Sequence, residues 1–136
     1  MKIFALLHII ALISCQKNDF NRQDIINHTF YQLTPSKSGI VLYKPCGANY
    51  DSYKIKKNYI LHNLGQEYDT IKKIKITQNS PNEILIQGYN TNTQQIEKII
   101  IRQTKEKEKY LVEINKNKYI DSIYSNKVKK VNQACN

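Results

Sequence analysis

Proton chemistry has few candidates here: the histidines His28 and His62, and the acids Glu67 and Asp69. A hydrolase needs an activated nucleophile, a base and an oxyanion site, and no Gly-x-Ser-x-Gly occurs. His28, just before Thr29, reads as a surface or edge residue. His62, in the run Ile60-Leu61-His62-Asn63, reads as solvent-facing or hydrogen-bonded to a neighbour. A glycosidase needs two carboxylates about 5–9.5 Å apart. Glu67 and Asp69 are close in the chain, but in an expected loop, where neighbouring acids are ordinarily just solvated. Gly47, Gly65 and Gly88 are isolated, so no phosphate-cradling loop is visible. Enzymatic chemistry would require His62, Glu67 and Asp69 to converge in one pocket. The tyrosines carry a different chemistry: ten of them with no tryptophan. Tyr43, Tyr50, Tyr53 and Tyr59 cluster around Cys46. They are a candidate binding face for sugar or protein, because tyrosine offers rigid contact area plus a hydroxyl. The alternative is that they are strand residues and half-buried edge fillers.

The segments that would position these residues begin with an export signal. Met1-Lys2 is followed by an apolar run from Ile3 to Ile13 and a small residue, Ser14. That is the pattern of a secretory signal, and the run is shorter than the ~20 residues a membrane span needs. Leu12-Ile13-Ser14-Cys15 resembles the lipobox of bacterial lipoproteins. The resemblance implies cleavage before Cys15, a diacylglycerol on its sulfur and an N-acyl chain on the new terminus. It implies no other cofactor. Two or more chains hold a protein firmly on a membrane, at about 0.8 kcal/mol per buried CH2. Gln16 stands where an Asp would favour inner-membrane retention, so the expected location is the bacterial envelope, at the outer membrane.

With Cys15 lipidated, Cys46 and Cys135 remain. An exported chain meets an oxidising compartment, where an even pair reads as a disulfide. Free thiols or a metal site are the alternatives, and zinc would need about four ligands where only His28 and His62 could join the cysteines. Closing a loop of about 90 residues restricts the unfolded chain by roughly 4–5 kcal/mol in the entropy model. The formal charge is +10, most of it kept after cleavage. A basic domain attracts nucleic acid, anionic lipid or an acidic protein, and lipidation removes nucleic acid from that set. A composition rich in Lys, Asn, Ile and Tyr accounts for much of the charge.

Three segments follow: residues 1–14 as cleaved signal, 15–27 as lipidated tether with room for a short helix near Arg22–Asn27, and 28–136 as one β domain. The domain reads as nine strand runs: Thr29–Leu33, Ile40–Lys44, Tyr53–Lys56, Tyr59–Asn63, Thr70–Thr77, Glu83–Gly88, Ile96–Thr104, Tyr110–Ile114 and Lys118–Ile123. Recurrence every 8–12 residues with short polar breaks predicts an antiparallel meander, closed as a small barrel or folded as a sandwich. Tyr53 and Ile55, Ile74 and Ile76, and Val112 and Ile114 show the period of two. Ile99-Ile100-Ile101 predicts a central strand covered on both faces. The charged segment Lys105–Lys109 predicts a hairpin turn, with an exposed helix as the alternative.

A short export signal followed by such a meander resembles the small lipocalin-like lipoproteins of the bacterial envelope, over about Thr29 to Cys135. That resemblance implies an up-and-down barrel around an apolar pocket, with a cystine fastening the C-terminal tail. It is topological, since Thr29-Phe30-Tyr31 lacks the family's glycine, and no pocket residue is carried over. The expected function is a lipid-anchored, non-catalytic binding protein for a small apolar ligand or an acidic envelope protein. The alternative is an inhibitor or immunity-type lipoprotein, with a hydrolase third. Asp69-Thr70-Ile71 and Asp121-Ser122-Ile123 match an Asp-Ser/Thr-aliphatic pattern used for bacterial O-glycosylation, making Thr70 and Ser122 candidate acceptors.

Overall fold

Short runs of Ile, Val, Tyr and Thr separated by Asn-, Ser- and Gly-bearing turns build eleven strands in the computed structural model, which describes residues 20–106 and 108–135. They are β1 (Thr29–Gln32), β2 (Thr34–Ser36), β3 (Gly39–Lys44), β4 (Ser52–Ile55), β5 (Tyr59–Asn63), β6 (Tyr68–Ser80), β7 (Glu83–Asn90), β8 (Gln95–Gln103), β9 (Leu111–Ile114), β10 (Asn117–Asp121) and β11 (Lys129–Asn132). Eight of them close a barrel in the order β1-β4-β5-β6-β7-β8-β9-β10, with every neighbour antiparallel. This is the expected meander, and it resolves the barrel-or-sandwich choice. Of the charged segment after β8, Lys105, Glu106 and Lys109 lie in turns. The signal, Cys15 and the tether up to Asp19 lie outside the described residues.

An eight-stranded barrel is just wide enough inside for side chains to fill it, and this one is filled. Phe30, Ile55, Ile60, Ile84, Ile86 and Ile101 point inward with no exposure, and Ile71, Ile99 and Ile114 are 1% exposed. Each comes from the apolar phase of a period-two strand. The isoleucine triplet behaves differently from expectation: Ile99 and Ile101 enter the core, while Ile100 is only half-buried on the outer wall. The triplet therefore reflects β-propensity on an exposed strand face rather than cover on both sides.

Two local devices set the register. Asn115 and Lys116 take positive φ of 48° and 74°, the geometry of the tight turn that best joins twisted antiparallel strands. In β6 the pairing with β7 slips between Lys72 and Lys75, where Lys73 has φ 52°. Gly88 faces that bulge, and a Cβ there would stand 2.5 Å from Ile71 Cγ2 and 2.8 Å from Ile74 Cγ2. Only a glycine lets the bulged strand lie so close.

Two elements escaped the sequence reading. β2 pairs with β3, which pairs in parallel with β11, giving a three-stranded sheet on the flank of the barrel. Leu42 seals it against Leu33 and Ile120 on the barrel's outer wall. β2 holds a proline and β11 a lysine pair, so neither shows apolar alternation. The last barrel strand stops at Asp121 rather than Ile123, because Asp121 accepts a bond from the Ile123 amide and opens a 3-10 helix, Ser122–Lys127.

Residues 20–27, read as tether, are instead part of the fold. Asn21 caps a short 3-10 helix, Arg22–Asp24, through a reciprocal bond with Asp24. Phe20 and Ile25 are fully buried among the barrel's core residues. The Phe20 carbonyl accepts from Gln78 at 3.0 Å, next to the β6–β7 turn. Two apolar side chains in a polar stretch were enough to plug this end of the barrel, and it is called the closed end below.

Candidate functional site

Outward-facing side chains of β1, β4, β5 and β6 form the floor of a groove of about 510 Å3, lined by Tyr31, Tyr50, Tyr68, Leu61, Lys44 and Lys54 with Thr29, Asn49, Ser52 and Asn63. Its upper wall is the segment between β3 and β4. That wall is clamped at three points. Cys46 is bonded to Cys135, the Gln133 amide donates to the Lys44 carbonyl at 2.9 Å, and the Asn49 amide donates to the Gly65 carbonyl at 3.0 Å. The expected disulfide is therefore present, and it holds the groove wall as well as the tail.

Aromatic faces and cations dominate the groove. Tyr31 and Tyr50 pack with ring centroids 5.0 Å apart, and Lys44 Nζ lies 6.0 Å from the Tyr50 centroid. Among the described residues no carboxylate lines it. A surface of this kind can hold an anionic group on the lysines while an apolar or planar neighbour rests on tyrosine.

Of the four tyrosines expected to share a face, Tyr50 alone lies in the groove. Tyr43 is half-buried in the flanking sheet, and Tyr59 starts β5 near the closed end. Tyr53 corrects that expectation most clearly: it is 4% exposed and belongs to the barrel core, because its position on β4 points inward. Tyr31 and Tyr68, which were not singled out, take the vacant places. Their signal lies in the strand phase: both occupy the outward phase of a barrel strand.

The other end of the barrel carries a polar layer. Tyr53 stacks on His62 at 3.9 Å between centroids and meets Tyr119 edge-on at 5.5 Å. His62 Nε2 lies 3.6 Å from Asp51 Oδ1, and the Tyr119 hydroxyl donates to the same oxygen at 3.4 Å. Asn90 donates to Glu97 at 2.8 Å, and Asn92 to Asp69 at 2.7 Å. Burial, reinforced by Glu97, Asp51 and Asp69, pushes the Tyr53 hydroxyl well above the usual tyrosine range. Burial followed by Asp51 does the same to Tyr119. Both hydroxyls therefore stay neutral, and that of Tyr119 donates to Asp51.

His62 and Asp69 face each other across β5 and β6. Glu67 does not join them; it lies in the β5–β6 loop beside Pro45 and Ala48. The three-residue convergence that enzymatic chemistry would require is absent from the described structure. His28, expected as a surface or edge residue, stands half-buried just ahead of β1: its side chain is 31% exposed and Nδ1 shares a 2.5 Å hydrogen bond with Asp121, whose side chain is 4% exposed. Nothing in the sequence links those two, 93 residues apart. Thr70 and Ser122, the candidate acceptors, are both half-buried, and the Thr70 carbonyl accepts from the Thr91 amide and hydroxyl. Among the described residues no cluster of three His, Cys, Asp or Glu side chains could hold a metal.

Comparison with protein-family models, curated proteins and solved structures finds no match to this chain.

Proposed function

We propose that the mature chain is a lipid-anchored, non-catalytic protein of the bacterial envelope whose barrel is a rigid scaffold and whose outer groove binds an acidic partner protein, in the manner of an immunity or inhibitor lipoprotein. The observation that carries this reading is the contrast between inside and outside. A carrier of a small apolar ligand needs an apolar cavity, yet the interior is occupied by isoleucines with almost no exposure. The open space lies on the wall, between tyrosines and lysines with no acid among them. An acidic loop entering that groove would meet complementary charge, which steers association and fixes register.

A photo-reactive residue at Leu61, on the groove floor, tests this in the protein's own membrane. The expected product is a stoichiometric crosslink to one protein, lost when Lys44 and Lys54 are both changed to Glu. Native mass spectrometry of the mature protein is the counter-test. A co-purifying small apolar molecule, with no crosslink at Leu61, overturns the partner reading in favour of a carrier.

A further inference from the structure

We infer that the closed end of the barrel is a docking face for anionic lipid, so that the protein stands on its membrane with the open end pointing away. The inference rests on the lipid-anchor reading and adds an orientation and a surface to it. Phe20 is fully buried at the closed end, and the path from Cys15 to Phe20 spans at most about 17 Å even when extended. β8, with 9 residues, runs about 30 Å. Tilted by about 40°, that strand gives the barrel a height of roughly 23 Å, so an acyl chain on Cys15 in the bilayer keeps the closed end nearer the headgroups than the barrel is tall and forbids the inverted orientation.

The surface presented there suits that position. Ile123 is 71% exposed and Tyr124 40% exposed, both on the 3-10 helix that follows β10. Isolated apolar side chains at this level enter the headgroup region, and tyrosine favours the interface. Around them stand exposed Arg22, Lys57, Lys105 and Lys127. Of the neighbouring acids, Asp24 is paired with Lys109 at 2.9 Å, Glu83 with Arg102, Glu106 with Lys118 at 3.5 Å and Asp121 with His28, which among the described residues leaves Glu108 to oppose the cations. Clustered lysines beside a membrane anchor add attraction to anionic headgroups. The opposite end gathers the acids Asp51, Glu67, Asp69 and Glu97 beside exposed Lys116 and the groove's Lys44, a poorer match to anionic headgroups.

Amide hydrogen exchange on the lipidated mature protein decides the matter, in vesicles of phosphatidylcholine with phosphatidylglycerol and in vesicles of phosphatidylcholine alone. Intact mass is read first: a chain without acyl groups refutes the anchor reading itself. On the acylated chain, residues 56–58 and 122–127 should exchange about tenfold more slowly in the anionic vesicles, as for a docked state favoured by that ratio, while the β7–β8 turn, Thr91–Gln94, stays unchanged. Ile123→Glu with Lys57→Glu should abolish the slowing at an unchanged urea midpoint. Equal exchange in the two vesicle types, slowing at the β7–β8 turn, or slowing that survives the double substitution each overturns the docking face.

Discussion

The two ends of this barrel solve the same problem with opposite chemistry. At the closed end, the strand ends are covered by Phe20 and Ile25, carried in on a capped 3-10 turn. At the open end, Tyr53, His62, Tyr119 and Asp51 fill the same cross-section with stacked rings and long polar contacts. Apolar plugging is non-directional and contributes in proportion to buried area. A polar layer must match donors to acceptors, and whatever is left over costs free energy. His62 Nε2 is a buried nitrogen without a hydrogen-bond partner, a cost that Phe20 and Ile25 do not incur, although Thr104 Oγ1 after β8 is a second such atom. The two ends should consequently differ in how much stability they carry and in how that stability responds to pH.

Phe20→Ala sets the larger side of the contrast. Emptying a fully buried phenylalanine site should cost about 3–5 kcal/mol, read as a lowered urea midpoint in the mature protein. A loss below about 1 kcal/mol would mean that the plug is an accessory and that the barrel closes without it. Next in size is the clamp near the open end. Cys46→Ser should cost about 2–4 kcal/mol under oxidising conditions. It should also raise hydrogen exchange in Pro45–Asp51, the groove wall, while leaving Ile84 and Ile101 protected. If thiol labelling of the unreduced native protein modifies Cys46 and Cys135, the clamp is absent in solution.

Alkaline pH separates the ends more sharply. The Tyr53 and Tyr119 hydroxyls are raised above the unfolded value of about 10. Their contribution is fully present below that pH and is lost as pH rises above it, because the unfolded chain releases those protons first. Absorbance titration should show these two tyrosines ionising only as the barrel unfolds. Tyr53→Phe should flatten the alkaline loss. If Tyr53 and Tyr119 ionise in the ordinary tyrosine range with the fold intact, the open end is wetter than its geometry shows. The smallest effect is Tyr53→Phe at neutral pH. Removing one hydroxyl from a loosely matched layer should change stability by no more than about 1 kcal/mol.

Much of this architecture was legible in the chain. The nine runs anticipated nine of the eleven strands, since a half-buried antiparallel strand has to alternate. The pairing of Cys46 with Cys135 was legible as the even pair left once the lipobox resemblance set Cys15 aside. The failures share one cause. β2, β11 and the 20–27 cap are held by contacts to distant segments rather than by their own pattern. Phe20 and Ile25 are two apolar residues without a period, and only the vacant barrel end gives them a place. Asp121 was read for its local tripeptide, whereas its structural partner is His28, contributed from the other end of the chain. The groove failed in the same way: Tyr43, Tyr50, Tyr53 and Tyr59 are neighbours in sequence, but strand phase sends Tyr53 inward and keeps Tyr31 and Tyr68 outside.

By itself, the amino-acid sequence determined the all-β meander, the apolar phase of most strands and the pairing of Cys46 with Cys135. Each of these is local or follows from counting. Tertiary structure alone decided that the meander closes with its interior full, that the first described residues seal one end, and that the tyrosines and lysines which meet on the outer wall come from five separate segments. Closure, plugging and convergence depend on which residues arrive together in space. Period, propensity and residue counts carry no such distances.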